Sequence, residues 1–300
     1  MSQLFGIVNV NKSQYVSSRG AVNAVQRVVK PLKVGHAGTL DPMATGVLLV
    51  CVGKATRLVT RIHNLPKVYR ATFVFAPTSD TDDAMGTIEQ TGQPIPTRGD
   101  VEALLPEFTG EIQQVPPIYS AVHVNGQRAY EIARRGHSVE LKPKSVRVDR
   151  LELTGAAEGK FEFEIECGSG TYIRSIARDM GERLGCGGLM SALERTRIGS
   201  FTVEDGIDVG GGPMDFDKLS QDDIEQALIS PLAALPQVVQ YQCNDIETTM
   251  VRLGTALKTV PAGVSADDEV AMVGPSGQLL ALAAVQRGML QPRLVFDALQ

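Results

Sequence analysis

The four cysteines of this 300-residue chain, Cys51, Cys167, Cys186 and Cys243, are widely scattered. No CxxC pair and no zinc-type spacing links them, which excludes a dense disulfide framework and the common thiolate metal sites. Reduced, buried thiols in a cytoplasmic protein are the expectation. Also missing is any apolar run near the roughly 18–20 residues that a membrane span requires. The opening MSQLFGIVNV offers neither a basic leader nor a small-residue cleavage site, so it reads as a first strand. A further scarcity is local. Residues 1–75 hold ten lysines and arginines but a single carboxylate, Asp41, for a net charge of +9.

Hydrophobic residues make up 43% of the chain and charged ones 21%, the balance of an ordinary globular protein with an ample core. The length suits one large catalytic domain with a small appended one. The overall charge of −5 conceals an asymmetry, because residues 201–300 carry five basic and fourteen acidic side chains, net −9. Such opposed ends point to a polyanion-binding N-terminal half. Asp41, alone among cations, is expected to stay ionised, since a neighbouring arginine lowers a carboxyl pKa by about one to three units.

GIVNVNK (6–12) has the pattern of an opening strand. Ser17 or Ser18 can cap a helix over 19–30 that buries Val22, Val25, Val28 and Val29 and ends at Pro31. The loop KVGHAGTLDPMATG leads into the apolar run 47–53. Residues 68–75 and 161–167 alternate as half-buried strands do, and 145–153 is a third strand. Helices are expected near 100–107, 127–135, 171–185 and 188–195. Strands and helices mix without βαβα regularity, which indicates an α+β fold. A break falls in IDVGGGPMD (207–215), a short helix SQDDIEQALIS follows, and short strands (VAMVG, LLALAAV, RLVF) alternate with turns beyond 236.

GHAGTLDP (35–42) sets two glycines and a proline around Asp41, a tight loop that lets the backbone approach a partner. The longer blocks KVGHAGTLDPMATGVLLVCVGKATR, KVYRATFVF with TSDTDDAMG, PPIYSAVHVNGQRAYEIARRG, GSGTYIRSIARDMGERLGCGG and LERTRIGSF follow in order over roughly 1–201. In this respect the chain resembles the bacterial tRNA pseudouridine-55 synthases of the TruB type. The resemblance implies a pseudouridine synthase core around a long mixed, mostly antiparallel sheet, with a small C-terminal PUA-like β module. The domains then fall at 1–205 for the core, with 116–150 an RNA-contacting insertion of net charge +4 over 120–150. Residues 206–235 form a linker with a short helix, and 236–300 the β module.

The same resemblance implies that Asp41, Tyr69 and Arg174 are catalytic, with Arg174 pairing Asp41. It implies that Tyr69 stacks on the base and assists deprotonation at C5. His36, Gly38, Tyr172 and Leu193 are implied to contact the substrate, His36 taking space that flipped bases vacate. The reaction breaks the N1–C1′ bond of a uridine, turns the uracil and joins C5 to C1′. It neither oxidises nor reduces, so the expectation is no cofactor and no metal. The carboxylate can act as nucleophile or as general base, and both roles remain open. The implied partner is the T-arm stem-loop of tRNA, met by a monomer with no obligate protein partner. The base must flip to be reached, at a cost of a few kcal/mol.

Departures from the family pattern are local. Ser13 and Tyr15 replace the proline and glycine of a KPxGxTS-like segment. His123 replaces a basic residue, Ile198 a small one, and Phe75–Ala76 a Leu-Gly pair. Two other readings stay open on the sequence: a non-catalytic RNA-binding or tRNA-folding protein, and a hydrolase using Asp41. The second would call for another carboxylate or a metal cluster, which residues 1–75 do not provide.

Overall fold

Alternation decides the centre of the molecule. Tyr69, Ala71, Phe73 and Phe75 of the Lys67–Phe75 strand are buried in one cluster with Phe161, Phe163 and Ile165 of the antiparallel Lys160–Cys167 strand. Register sets Phe161 against Phe73, Phe163 against Ala71 and Ile165 against Tyr69. The rings of Phe73 and Phe163 lie 4.6 Å apart, and those of Phe75 and Phe161 5.2 Å apart. Each such pair stabilises the sheet by roughly 0.2–1 kcal/mol. Arg70, Thr72, Glu162 and Glu164, at the intervening positions, take the opposite face.

The computed structural model describes residues 4–124, 126–209, 219–266 and 268–297. Among these, an 11-stranded sheet follows the path Ile207–Asp208, Gly6–Lys12, Thr45–Val52, Gly188–Ile198, Lys67–Phe75, Lys160–Cys167, Lys144–Ala157, Gly110–Gln114. Gly6–Lys12 with Ile207–Asp208 and Thr45–Val52 with Gly188–Ile198 pair in parallel. The other pairings are antiparallel, so the sheet is mixed and mostly antiparallel as expected. The glycine-rich break is described only in part, since 210–215 lie outside the described residues.

The Ser18–Val28 helix starts where Ser17 Oγ accepts from the Gly20 N–H at 3.0 Å, and it buries Ala21, Val22, Ala24 and Val25. It stops two residues short of the expected end. Ile173–Arg183 buries Ile173, Ile176, Ala177 and Met180, the spacing of one helical face, in the same cluster as Tyr69 and Phe73. Arg98–Leu104 and Ala129–Arg134 are shorter than the sequence pattern indicates, the latter preceded by a hairpin of His123–Val124 and Gln127–Arg128.

Residues 188–195 correct the expectation of a helix. They belong to the Gly188–Ile198 strand, between Lys67–Phe75 and Thr45–Val52. Gly188, Leu189 and Met190 are buried in succession, and register shifts after Met190 and after Arg195 break any period of two. A central strand needs no polar face, so its helix-forming residues are overruled by pairing and burial. Gly188 is required by closeness, because a Cβ there would lie 2.5 Å from the Ala177 carbonyl oxygen.

Beyond residue 236 the chain builds a four-stranded sheet, Val239–Gln242, Glu269–Val273, Leu279–Gln286 and Met289–Val295, with the Asp245–Arg252 helix beside it. It is seated on the large sheet. Ala271, Leu279, Leu282 and Phe296 share a buried cluster with Ile7, Leu49, Leu58 and Ile62. Phe5 stacks on Phe296 at 5.3 Å, and Arg61 Nε donates to Glu269 Oε2 at 2.8 Å.

Candidate active site

Asp41 sits in the loop between the Val34–His36 and Thr45–Val52 strands, and three anchors fix that loop. Ser18 Oγ donates to the Leu40 carbonyl and accepts from its N–H, at 3.0 and 2.8 Å. The Tyr15 N–H donates to the Pro42 carbonyl at 2.7 Å. Lys12 Nζ donates to the carbonyls of Ser13 and Val16, at 2.9 and 2.8 Å, and more weakly to that of Pro42 at 3.4 Å.

Arg174, at the start of the Ile173–Arg183 helix, meets Asp41 across 133 residues of sequence. Nη2 donates to Oδ1 at 3.1 Å, while Nε stands 2.9 Å from Oδ2 as a charge contact outside hydrogen-bond alignment. The guanidinium is held from behind. Nη1 donates to the Thr81 carbonyl at 2.9 Å and Nη2 to that of Tyr119 at 3.1 Å, with Asp83 Oδ2 3.7 Å from Nη1. Asp83 is itself fixed by Thr81 Oγ1 at 2.6 Å and by the Met85 N–H at 2.9 Å. Arg174 therefore lies between two carboxylates. Its side chain is 6% exposed, whereas that of Asp41 keeps 31%, enough to meet a substrate.

The electrostatics correct the expectation for Asp41. Burial raises its carboxyl above the ordinary aspartate range. Arg174 opposes the rise, Asp83 adds to it and Lys12 opposes it. A charge count could not show this, since desolvation depends on the walls of the loop and Asp83 lies outside the first 75 residues.

Tyr69 and Leu193 are 8% exposed and share a cluster with Leu40 and Met43, the residues flanking the Asp41–Pro42 turn. Burial raises the Tyr69 phenol, with nearby Arg195 opposing. Tyr172 precedes the helix, and Gln114 brackets its backbone. The Tyr172 N–H donates to Gln114 Oε1 at 2.8 Å, and Nε2 donates back to the Tyr172 carbonyl at 3.0 Å. Gly38 holds φ of 101°, open to glycine, and its carbonyl accepts from Arg195 Nη2 at 3.1 Å. His36 ends the Val34–His36 strand, and no hydrogen bond or ion pair joins it to Asp41. Burial lowers its pKa, and its Nδ1 is buried without a partner.

Asp83, Arg195 and Gln114 escaped the sequence reading. Arg195 is 1% exposed, and its Nε donates to the Val47 carbonyl at 2.7 Å. It shares the site's wall with two buried lysines. Lys12 and Lys67 are both lowered to about 8, by burial first and by Arg195 second. Lys67 donates to Ser169 Oγ at 2.6 Å and to the His63 carbonyl. TSDTDD and LERTR belong to the motif blocks of the chain, but nothing local in the sequence marks which of their side chains turn inward. A groove of about 530 Å³, lined by Gln14, Met43, Arg70, Glu164, Leu193 and Glu194 among others, adjoins the site through Met43 and Leu193 but does not include Asp41. Among the described residues, no cluster of three or more histidines, cysteines and acids could hold a metal, and no helix is long and apolar enough to cross a membrane.

Residues 26–173 match the profile of the TruB family pseudouridylate synthase N-terminal domain, and 174–209 that of the tRNA pseudouridylate synthase B C-terminal domain. The chain is 37% identical over 310 residues to tRNA pseudouridine synthase B of Brucella anthropi, covering 97% of this chain and 95% of the relative. It is 39% identical over 295 residues to that of Paracoccus denitrificans, covering 98% and 97%. Among solved structures, one of a Cbf5-Nop10-Gar1 complex superposes with a TM-score of 0.72 at 24% identity. The match covers 98% of this chain and 86% of that one and supports the fold alone.

Proposed function

The chain belongs to the TruB family of pseudouridylate synthases, and from that premise we propose that it converts uridine 55 in the T-arm loop of tRNA to pseudouridine. One observation carries the reading: a partly open carboxylate is gripped by a buried arginine beside an aromatic and apolar wall of Tyr69 and Leu193. Such an arrangement fits a flipped uracil, which offers a flat apolar face and a reacting edge. Asp41 Oδ acts either by attack on the nucleoside or by removal of its 2′ proton. In both routes N1–C1′ breaks, the uracil turns, and C5 bonds to C1′ before losing its proton.

Arg174 orients Asp41 and holds its charge once substrate excludes water. Tyr69 lies against the base and assists proton loss at C5, and Leu193, on the same wall, packs against the base as well. Gly38 lets RNA approach the loop backbone, Tyr172 lines the pocket, and His36 takes the space of bases turned out of the loop. Residues 1–205 form the catalytic core, 116–150 the RNA-contacting insertion, 206–235 a linker with its short helix, and 236–300 the appended module. The enzyme works as a monomer in the cytoplasm, without an obligate protein partner.

The deciding experiment incubates an unmodified tRNA transcript with the purified chain and no added cofactor, then maps pseudouridine. Modification at position 55 is expected, with Asp41→Asn binding the transcript but leaving it unmodified. Turnover by Asp41→Asn would remove Asp41 from its role. A wild-type chain that binds without modifying would favour the non-catalytic RNA-binding reading.

A further inference from the structure

We propose that Tyr15 is a substrate-contacting residue, a fixed platform on which an unpaired RNA base next to the reacting uridine stacks. The inference rests on the uridine-isomerase reading above. Tyr15 is 61% exposed, among the most exposed large hydrophobic residues of the described chain. Its φ of 64° lies in the left-handed region, which glycine and at times Asn or Asp adopt but a bulky side chain rarely does. A residue held in such a conformation, with its ring in solvent, gains nothing for the fold from that ring. Strain of this kind gathers where a side chain is presented to a ligand.

The backbone around it is stapled to the catalytic loop. The Tyr15 N–H donates to the carbonyl of Pro42, the residue after Asp41, at 2.7 Å. Lys12 Nζ ties the neighbouring Val16 carbonyl at 2.8 Å and reaches Pro42 as well. Ser18 brackets Leu40, the residue before Asp41. Both flanks of Asp41 thus hold the turn that carries Tyr15, which fixes its backbone beside the reacting carboxylate. Among the described residues no aromatic ring or guanidinium stacks on it.

The chemistry selects the ligand. Turning a uridine out of a loop unstacks the bases beside it, and single-stranded RNA is recognised by stacking such bases on aromatic side chains. A ring on an anchored backbone loses little freedom on contact, so more of the stacking appears as affinity. Ten cations against one acid in residues 1–75 favour the phosphates that accompany the base.

Three variants test this. Tyr15→Gly relieves the backbone while deleting the ring. It is expected to raise KM for tRNA about 5- to 160-fold, the range of one lost base stack, with kcat nearly unchanged and the melting temperature equal or higher. Tyr15→Phe is expected to keep wild-type KM. The natural chain contains no tryptophan, so Tyr15→Trp introduces the sole indole, whose emission should be quenched by a T-arm transcript and not by a plain duplex. An unchanged KM in Tyr15→Gly, a lowered melting temperature in that variant, or unquenched Tyr15→Trp emission would each overturn the platform role. The wild type, assayed alongside, separates the two levels. If it forms pseudouridine while Tyr15→Gly is normal, only this inference fails, and if it forms none the underlying reading fails with it.

Discussion

In the proposed reaction Asp41 has to be ionised to attack or to take a proton, yet burial raises its carboxyl and Asp83 raises it further, against Arg174. The acid limb of kcat/KM is therefore expected to inflect above the ordinary aspartate value of about 3.9. Activity disappears as pH falls through the raised value. Asp83→Asn removes a like charge and should move the inflection to lower pH, and a profile that stays put would detach Asp83 from the site's electrostatics. Arg174 is the other lever. Its planar fork spans both Asp41 oxygens and two carbonyls, which a lysine cannot do. Arg174→Lys should keep the positive charge and still lose about 10²–10³-fold in kcat, read by single-turnover pseudouridine formation.

At the scale of elements, the helix Ile173–Arg183 aims Arg174, and the closeness of its far end to the sheet sets its height. A Cβ on Gly181 would fall 2.2 Å from the Gly187 carbonyl carbon and 2.3 Å from the Gly188 nitrogen. Backbone cannot yield there, so Gly181→Ala should cost about 1–3 kcal/mol in denaturant unfolding, through overpacking. It should also depress kcat by displacing Arg174, and an unperturbed variant would show that the helix floats free of the turn.

How far the sequence foretold these elements depends on where their partners lie. Strands with one covered face, such as Phe161–Cys167, were legible from alternation. Gly188–Ile198 was not, because three successive buried residues at its start and two register shifts break the period that marks a strand. The motif blocks singled out Asp41, Tyr69 and Arg174, and the pairing of Asp41 with Arg174 expected from them is present in the fold. Gln114, Asp83 and Arg195 were not legible, since each acquires its role from groups 58, 91 and 157 positions away in the chain.

At the scale of the whole molecule, charge is divided between a basic N-terminal stretch and an acidic C-terminal one. Arg61–Glu269 joins the two across the seam as a two-pronged ion pair with both side chains about a third exposed. If the basic part meets phosphates, tRNA affinity should fall at least about tenfold between roughly 50 and 200 mM salt. A flat response in filter binding would contradict that division of labour.

The buried lysines at the site's wall have a consequence for the molecule as a whole. Lys12 and Lys67 release their protons near 8 when folded but near 10.5 when unfolded. Over that interval the unfolded chain binds more protons, so raising the pH stabilises the native state. The buried thiols act in the other sense. Cys51 is pushed up to about 12, and Cys167 and Cys243 to about 11, from an ordinary 9.0, so above 9 the unfolded chain ionises them while the native one does not. The lysine contribution begins first and the thiol contribution then cancels it. The thermal midpoint should consequently crest at a mildly alkaline pH, near about 9, instead of the more common range of about 5–8. Calorimetry across pH 7 to 10.5 would reveal the crest, and a midpoint declining steadily from neutrality would refute it.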